Sequence, residues 1–98
     1  MADYTHEELS AVWAKGKAVP PNSPDQFRQD VCGAWMEWKQ YGNQDSERGW
    51  QVDHIDPNGP HQISNWQPLQ WKNNQSKSDG KLTCPIIASG GNNIDRSK

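Results

Sequence analysis

Four side chains suited to hydrolytic chemistry follow one another in the middle of the chain: Asp53, His54, Asn65 and Asn74. Hydrolysis of a phosphodiester needs a base that takes a proton from water and a cation that neutralises charge on the phosphate. An imidazole suits the first task because histidine ordinarily titrates near neutral pH. Carboxylate and amide oxygens suit the second, because they are the hard ligands that Mg²⁺ prefers. The set therefore indicates metal-assisted hydrolysis.

Taken singly, each of these residues has a commoner structural explanation. An Asp-His pair is usually a surface or capping arrangement, Asn65 alone is typical of a turn, and Asn74 alone is typical of a solvated helix face. Adjacent strand residues also point to opposite faces, which would separate Asp53 from His54. That objection weakens at the end of a strand that enters an irregular loop, and Asp56-Pro57 marks such a break. The combination, rather than any one residue, favours a site.

The stretch from residue 50 to residue 81 resembles the HNH endonuclease family in its His-Asn-Asn form. The intervals of eleven residues from His54 to Asn65, and of nine from Asn65 to Asn74, fit the family's spacing. The resemblance implies the ββα-metal fold and metal-dependent cleavage of nucleic acid. Asn74-x-x-Lys77-Ser78-Asp79 also looks like the HNH domain of CRISPR effector proteins. The matching segments are Val52-Asp53-His54-Ile55-x-Pro57, Ser64-Asn65-Trp66-Gln67-Pro68-Leu69 and Asn74-x-x-Lys77.

The resemblance also implies a role for each residue. His54 is expected to be the general base, and Asp53 with Asn74 to hold one divalent ion, Mg²⁺ or alternatively Mn²⁺. Asn65 is expected to orient His54 and the adjoining loop. Three basic residues are expected to contact substrate phosphates: Lys77, Arg48 and Lys72.

Two departures from the family pattern matter. The third motif position is Asn74 rather than histidine, a change that keeps an oxygen ligand. Many family members carry two C-x-x-C pairs around a structural zinc, whereas this chain has only the distant Cys32 and Cys84. We therefore expect no structural zinc, with tryptophan packing in its place.

Six tryptophans stand out in a chain of 98 residues of which only 32% are hydrophobic. One tryptophan removes a large apolar surface from water, so we expect these side chains to form much of the core. Base stacking is the alternative for one or two of them.

Charge is unevenly distributed along the chain. The formal net charge is -2, which does not by itself favour a nucleic-acid partner. Residues 1–47 carry eight acidic and four basic side chains, whereas residues 48–81 carry three acidic and four basic ones. A bound divalent ion would add positive charge to the second stretch, which suits a polyanionic substrate.

The two cysteines and the chain's first residues bear on its compartment. No basic and apolar leader follows Met1, and no apolar run reaches the length of a membrane span. We therefore expect a cytoplasmic protein in which Cys32 and Cys84 are free thiols.

Local patterns predict the elements that position the site. Thr5 and Glu8 have the spacing of a capping box, which predicts a helix over residues 6–15 that stops near Gly16. Alternation predicts a half-buried strand over 50–55, closed by the Pro-Asn-Gly-Pro break. The other expectations are a helical turn over 25–30, a strand or buried turn over 31–38, a second strand over 63–69 restricted to an edge by Pro68, and a helix over 71–77.

These elements predict an α+β fold in one domain, residues 1–98. Its small ββα-metal (HNH) core covers residues 48–80, N-terminal helical segments over 5–47 support it, and 89–98 form a flexible tail.

The predicted function is metal-dependent endonucleolytic cleavage of DNA. A catalytically silent ββα module that binds nucleic acid or a protein partner is the first alternative. A nuclease toxin that needs an immunity protein is the second, and a recruiting protein is a further possible partner. His61, in the loop between the motifs, is expected to be exposed and non-catalytic, with a minor DNA contact as the alternative.

Overall fold

Most of the regular secondary structure lies in three antiparallel hairpins in the computed structural model, which describes residues 4–97. Each hairpin forms its own two-stranded sheet, and the helices are short. The elements in chain order are α1 (His6–Trp13), β1 (Phe27–Gln29), β2 (Trp35–Glu37), a 3₁₀ turn (Trp38–Gln40), β3 (Trp50–His54), a second 3₁₀ turn (Ile63–Asn65), β4 (Trp66–Gln70), α2 (Trp71–Ser76), β5 (Ile86–Ser89) and β6 (Asn92–Asp95).

The predicted fold class, α+β with a ββα-metal core braced by N-terminal helical segments, is wrong. The regular structure of the described chain is mostly hairpin strands, and α1, with eight residues, is its one helix of seven residues or more. Residues 25–30 do not form a helical turn. Phe27–Gln29 instead pairs with Trp35–Glu37, and Lys17 bridges to Gln29 on the other side. This pairing satisfies backbone groups that a single helical turn would leave open.

Helix α1 begins as the capping box predicts. The Thr5 hydroxyl accepts from the Glu8 backbone N–H at 3.0 Å, and the Glu8 carboxylate accepts from the Thr5 N–H at 2.8 Å. The helix ends at Trp13, two residues before the predicted end. Val12 and Trp13 are its buried residues, so the last turn anchors α1 to the core.

The core is built on tryptophan, as the composition predicts. Trp13, Trp50 and Trp66 are buried together with Val12 and Met36, and Trp50 is fully inaccessible to solvent. The rings of Trp13 and Trp50 lie 5.1 Å apart, within the range of favourable aromatic contacts. Because Trp50 begins β3 and Trp66 begins β4, this cluster fixes the hairpin that carries most of the candidate site.

The β3–β4 hairpin confirms the first predicted strand and shifts the second. Trp50 pairs with Gln70 and His54 with Trp66, so β3 ends at His54. Residues 63–65 form a 3₁₀ turn instead of the start of β4. Pro68 is accommodated because both strands of a two-stranded sheet are edges. The predicted helix follows directly as α2 and is one residue shorter than expected.

A buried carboxylate connects three parts of the fold. Oδ1 of Asp30 accepts from the backbone N–H groups of Cys32 and Ala34, at 3.0 and 2.8 Å. Its Oδ2 accepts from the Gln70 backbone N–H and the Asn73 side-chain amide, at 3.0 and 3.1 Å. Burial raises the pKa of Asp30, and the four hydrogen bonds offset only part of that effect. This network ties the β1–β2 hairpin to the start of α2.

Residues 89–95 of the predicted flexible tail belong to a hairpin instead. Ile86–Ser89 pairs with Asn92–Asp95, and Gly90 and Gly91 form the two-residue connection. Gly90 has φ +61°, a left-handed conformation that glycine adopts without strain. A Gly-Gly pair between two runs is a hairpin signal, so the sequence did contain the information.

The prediction of two free thiols is also wrong, because Cys32 and Cys84 form a disulfide. The bond closes a 52-residue separation and joins the β1–β2 turn to the segment before β5. Disulfides persist mainly in oxidising compartments. The expected free thiols therefore no longer support the cytoplasmic assignment, and that assignment stays a prediction. No helix among residues 4–97 has the length and apolar character needed to span a membrane.

Candidate active site

An open cavity of about 780 Å³ lies at the end of β3. Asp53 and His54 both border it, although they are neighbours in a strand. They share the cavity because β3 ends at His54, where the chain turns away into the Asp56-Pro57 loop. The lining residues are Val52, Asp53, His54, Pro57, Asn58, Asn74, Lys77, Asp79 and Gly80. Three of the four residues singled out first, all but Asn65, therefore border one cavity.

The carboxylate of Asp53 is buried and fully engaged. Its side chain is 6% exposed, and Oδ2 accepts from the side-chain amide of Gln67, its cross-strand partner, at 2.9 Å. The ammonium of Lys77 donates to Oδ1 at 3.0 Å and to Oδ2 at 2.9 Å. The predicted metal ligand is thus neutralised by a lysine in this structure.

Lys77 lies at the cavity, but not as a free phosphate contact. Besides Asp53, its Nζ donates to the backbone carbonyl oxygens of His54 at 2.6 Å and Ile55 at 3.2 Å. The Lys77 side chain is only 8% exposed. Four oxygen atoms from β3 and the residue after it therefore surround one positive charge.

Asn74 borders the cavity from α2. Its side-chain amide donates to Oε1 of Gln51 at 2.8 Å, which fixes the orientation of the amide group. Its Oδ1 receives no hydrogen bond from residues 4–97. Asn74 therefore has an oxygen available for a ligand on the wall that α2 contributes.

His54 faces a second histidine that the sequence did not associate with the site. Nε2 of His54 lies 3.0 Å from Nδ1 of His61. His61 is exposed, as predicted, but its ring also packs against Trp66, with centroids 4.8 Å apart. No sequence signal pointed to this pair, because it depends on how the loop after β3 folds back.

Asn65 holds that loop and does not touch the His54 imidazole. Its Oδ1 accepts from the Asp56 backbone N–H at 2.9 Å, and its Nδ2 donates to the carbonyls of Asp56 and Pro60 at 2.9 and 3.0 Å. A Cβ on Gly59 would lie 2.9 Å from Asn65 Nδ2, so the loop needs glycine there. The predicted loop role agrees with these contacts, whereas the predicted direct orientation of His54 does not.

Arg48 and Lys72 lie outside the cavity, and both are engaged elsewhere. Arg48 donates to the Gly91 carbonyl at 2.7 Å, and its guanidinium lies 5.4 Å from the centroid of the Phe27 ring. Lys72 forms an ion pair with Asp95 on β6, and it holds the pKa of that carboxyl well below its usual range. Their expected role in phosphate binding at this site is therefore not supported by their positions.

The side chains at the cavity that could bind a metal ion do so mainly through oxygen, and they are few. Within residues 4–97, no group of three or more His, Cys, Asp and Glu side chains is placed to hold a metal ion. The oxygen-bearing groups that border it are the carboxylates of Asp53 and Asp79, the side-chain amides of Asn58 and Asn74, and the backbone carbonyls that bind Lys77.

Comparison with protein-family models, with curated proteins and with solved structures finds no significant match to this chain.

Proposed function

We propose that this protein is a metal-dependent endonuclease that hydrolyses phosphodiester bonds, with DNA as the favoured substrate. The observation that carries the proposal is the convergence of Asp53, His54 and Asn74 on one open cavity. Hydrolysis of a phosphodiester needs a base and a metal ion, and this surface offers an imidazole and oxygen ligands for an ion. The HNH-like spacing of these residues supports the same assignment.

The donor set suits Mg²⁺ or Mn²⁺. Asp53 and Asn74 offer hard oxygens, and Mg²⁺ commonly keeps several waters, so two protein ligands are enough. The four oxygens around the Lys77 ammonium support the view that this place favours a cation. When bound, the divalent ion supplies positive charge to the scissile phosphate and the leaving oxygen.

His54 acts as the general base. It takes a proton from the attacking water, and the resulting oxygen nucleophile forms the new bond to phosphorus while the bond to the 3′ oxygen breaks. The 3′ oxygen takes its proton from solvent, so the products carry a 5′ phosphate and a 3′ hydroxyl. That polarity follows from the resemblance to the HNH family.

Lys77 controls the charge of the site before an ion binds. Its ammonium neutralises a carboxylate that is 6% exposed and would otherwise be costly to bury. A divalent ion and Lys77 therefore compete for the same Asp53 oxygens. Once displaced, the ammonium is close enough to the cavity to contact a phosphate.

Incubation with supercoiled plasmid tests the proposal. Purified protein should relax or linearise the plasmid with Mg²⁺ or Mn²⁺ and should not cut it in excess EDTA. Linear single-stranded DNA and RNA in parallel reactions identify the substrate class, and phosphatase-dependent end labelling identifies the 5′ phosphate. His6→Ala is the matched control for His54→Ala, because His6 is exposed and packs against Trp38 instead.

A catalytically silent binding module is the second candidate, and the Asp53–Lys77 ion pair favours it. A carboxylate already satisfied by lysine needs no metal ion for stability. This candidate predicts nucleic-acid or protein binding that is unaffected by EDTA, and no metal affinity above that of Asp53→Asn. A metal titration therefore separates the two candidates without any cleavage assay.

A further inference from the structure

The loop after β3 returns to place His61 against His54. Asn65 fastens this loop at Asp56 and at Pro60, the residue before His61. The His61 ring then lies 4.8 Å from Trp66 and 5.9 Å from Tyr4, centroid to centroid. Trp66 is 2% exposed, so one side of His61 rests on a rigid part of the core.

The two imidazoles meet through their nitrogens. His54 Nε2 and His61 Nδ1 are 3.0 Å apart, and the ring planes differ by 21°. The centroids are 5.2 Å apart, longer than the nitrogen separation by about two ring radii, so the nitrogens face each other. At this distance one nitrogen carries the proton and the other accepts it.

We propose that His61 is a positioning residue that accepts the Nε2–H of His54 and thereby keeps His54 Nδ1 unprotonated as the base. His54 borders the cavity and His61 does not, and Nε2 of His54 is the nitrogen engaged with His61. Nδ1 is the remaining nitrogen, and it can accept a proton only when the ring proton is on Nε2.

The inference rests on the proposed function, because a base is needed only if the cavity supports hydrolysis. Catalytic bases are commonly oriented by a third group that fixes their tautomer. In the reaction, Nδ1 of His54 takes the proton from water, and the Nε2–H stays hydrogen-bonded to His61. The imidazolium that forms strengthens that bond, since hydrogen bonds from charged donors are the stronger ones.

The test uses nitrogen NMR on the ¹⁵N-labelled full chain. We expect both histidines as Nε2–H tautomers, and a coupling across the hydrogen bond between His54 Nε2 and His61 Nδ1. A His54 that carries its proton on Nδ1, or the absence of the coupling, would overturn the inference. Neither readout requires cleavage. A protein that cuts no substrate would refute the proposed function, whereas the hydrogen bond between His54 and His61 would still be tested by these two NMR readouts.

Two substitutions extend the test to catalysis. His61→Leu removes the acceptor and should lower kcat about 10- to 100-fold with the KM for plasmid unchanged. His61→Asn should restore most of the loss, because its amide oxygen can take the place of Nδ1. His6→Ala serves as the control, and near-UV circular dichroism of the tryptophans checks folding. Equal kcat values for His61→Leu and the unaltered protein would overturn the positioning role.

Discussion

The Lys77 ammonium lies 2.9 Å from Oδ2 and 3.0 Å from Oδ1 of Asp53, and both side chains are almost fully buried. An ion pair at this depth offsets part of the cost of burying a carboxylate. The same carboxylate is the expected metal ligand. If Asp53 is a metal ligand, as proposed, a bound ion competes with Lys77 for its oxygens, and this competition can be measured.

Lys77→Met should have opposite effects on stability and on metal affinity. Without metal, the variant leaves Asp53 buried and unpaired, so the free energy of unfolding should fall by about 3 kcal/mol. Mn²⁺ should bind more tightly than to the unaltered protein and should restore the stability, because no ammonium has to be displaced. Thermal denaturation and calorimetric titration measure the two effects.

Lys81→Met is the control for that pair of measurements, because Lys81 is an exposed lysine in the same stretch of chain. If Lys77→Met bound Mn²⁺ no better than the unaltered protein, Asp53 would not be a metal ligand.

Lys72 and Arg48 should matter for stability rather than for cleavage. Lys72→Met should cut plasmid at nearly the rate of the unaltered protein, because Lys72 lies outside the cavity and pairs with Asp95. Since Lys72 lowers the pKa of Asp95, the ionised pair contributes stability at neutral pH, which starts to fall once the pH drops below the ordinary aspartate pKa and is fully lost below the lowered one.

The free energy of unfolding of Lys72→Met should therefore fall less than that of the unaltered protein between neutral pH and about pH 3, where an unpaired aspartate is protonated. Urea denaturation at both pH values measures the difference. A large fall in the cleavage rate of Lys72→Met or Arg48→Ala would contradict this and would indicate that these residues contact the substrate.

The disulfide should contribute substantially to stability. It closes a 52-residue separation, and a link of that length stabilises a small protein by about 2–4 kcal/mol. Reduction, or the double change Cys32→Ser and Cys84→Ser, should lower the urea midpoint accordingly. Thiol alkylation before and after reduction reports the pairing directly, and a protein that reacts fully without reductant would contradict it.

Asp30→Asn should destabilise the fold without altering the residues that line the cavity. The carboxylate accepts four hydrogen bonds, whereas an asparagine turns one acceptor into a donor that faces N–H groups. Leaving buried groups unsatisfied should cost about 2–3 kcal/mol. Chemical denaturation measures this cost, and Asp45→Asn is the matched exposed control. Equal midpoints for the two variants would contradict the network's structural role.

The sequence predicted those parts of the fold whose signals are local. The Thr5–Glu8 capping box predicted the start of α1, and alternation with a proline break predicted β3. The Asp30 network could not be predicted, because its partner Gln70 lies 40 residues away and becomes a neighbour only through packing. Three-residue strands such as β1 carry too little periodicity to be recognised.

The candidate site divides in the same way. Motif spacing identified Asp53, His54 and Asn74, which the structure brings to one cavity. It missed His61, whose position near His54 depends on the loop that Asn65 holds. It also predicted that Lys77 contacts a substrate phosphate, whereas the Lys77 ammonium binds Asp53. Charge and spacing could not place Arg48 and Lys72, because hydrogen-bond and ion-pair partners in the β5–β6 hairpin hold them away from the cavity.

Cleavage and metal binding by His54→Ala, measured on the same preparation, test the central claim most directly. At saturating Mg²⁺ the variant should cut supercoiled plasmid at least about a hundredfold more slowly than the unaltered protein or His6→Ala, because it lacks the base. Its affinity for Mn²⁺ in a calorimetric titration should be unchanged, whereas that of Asn74→Ala should be weaker. Undiminished cutting by His54→Ala, or cutting by the unaltered protein in excess EDTA, would contradict the account.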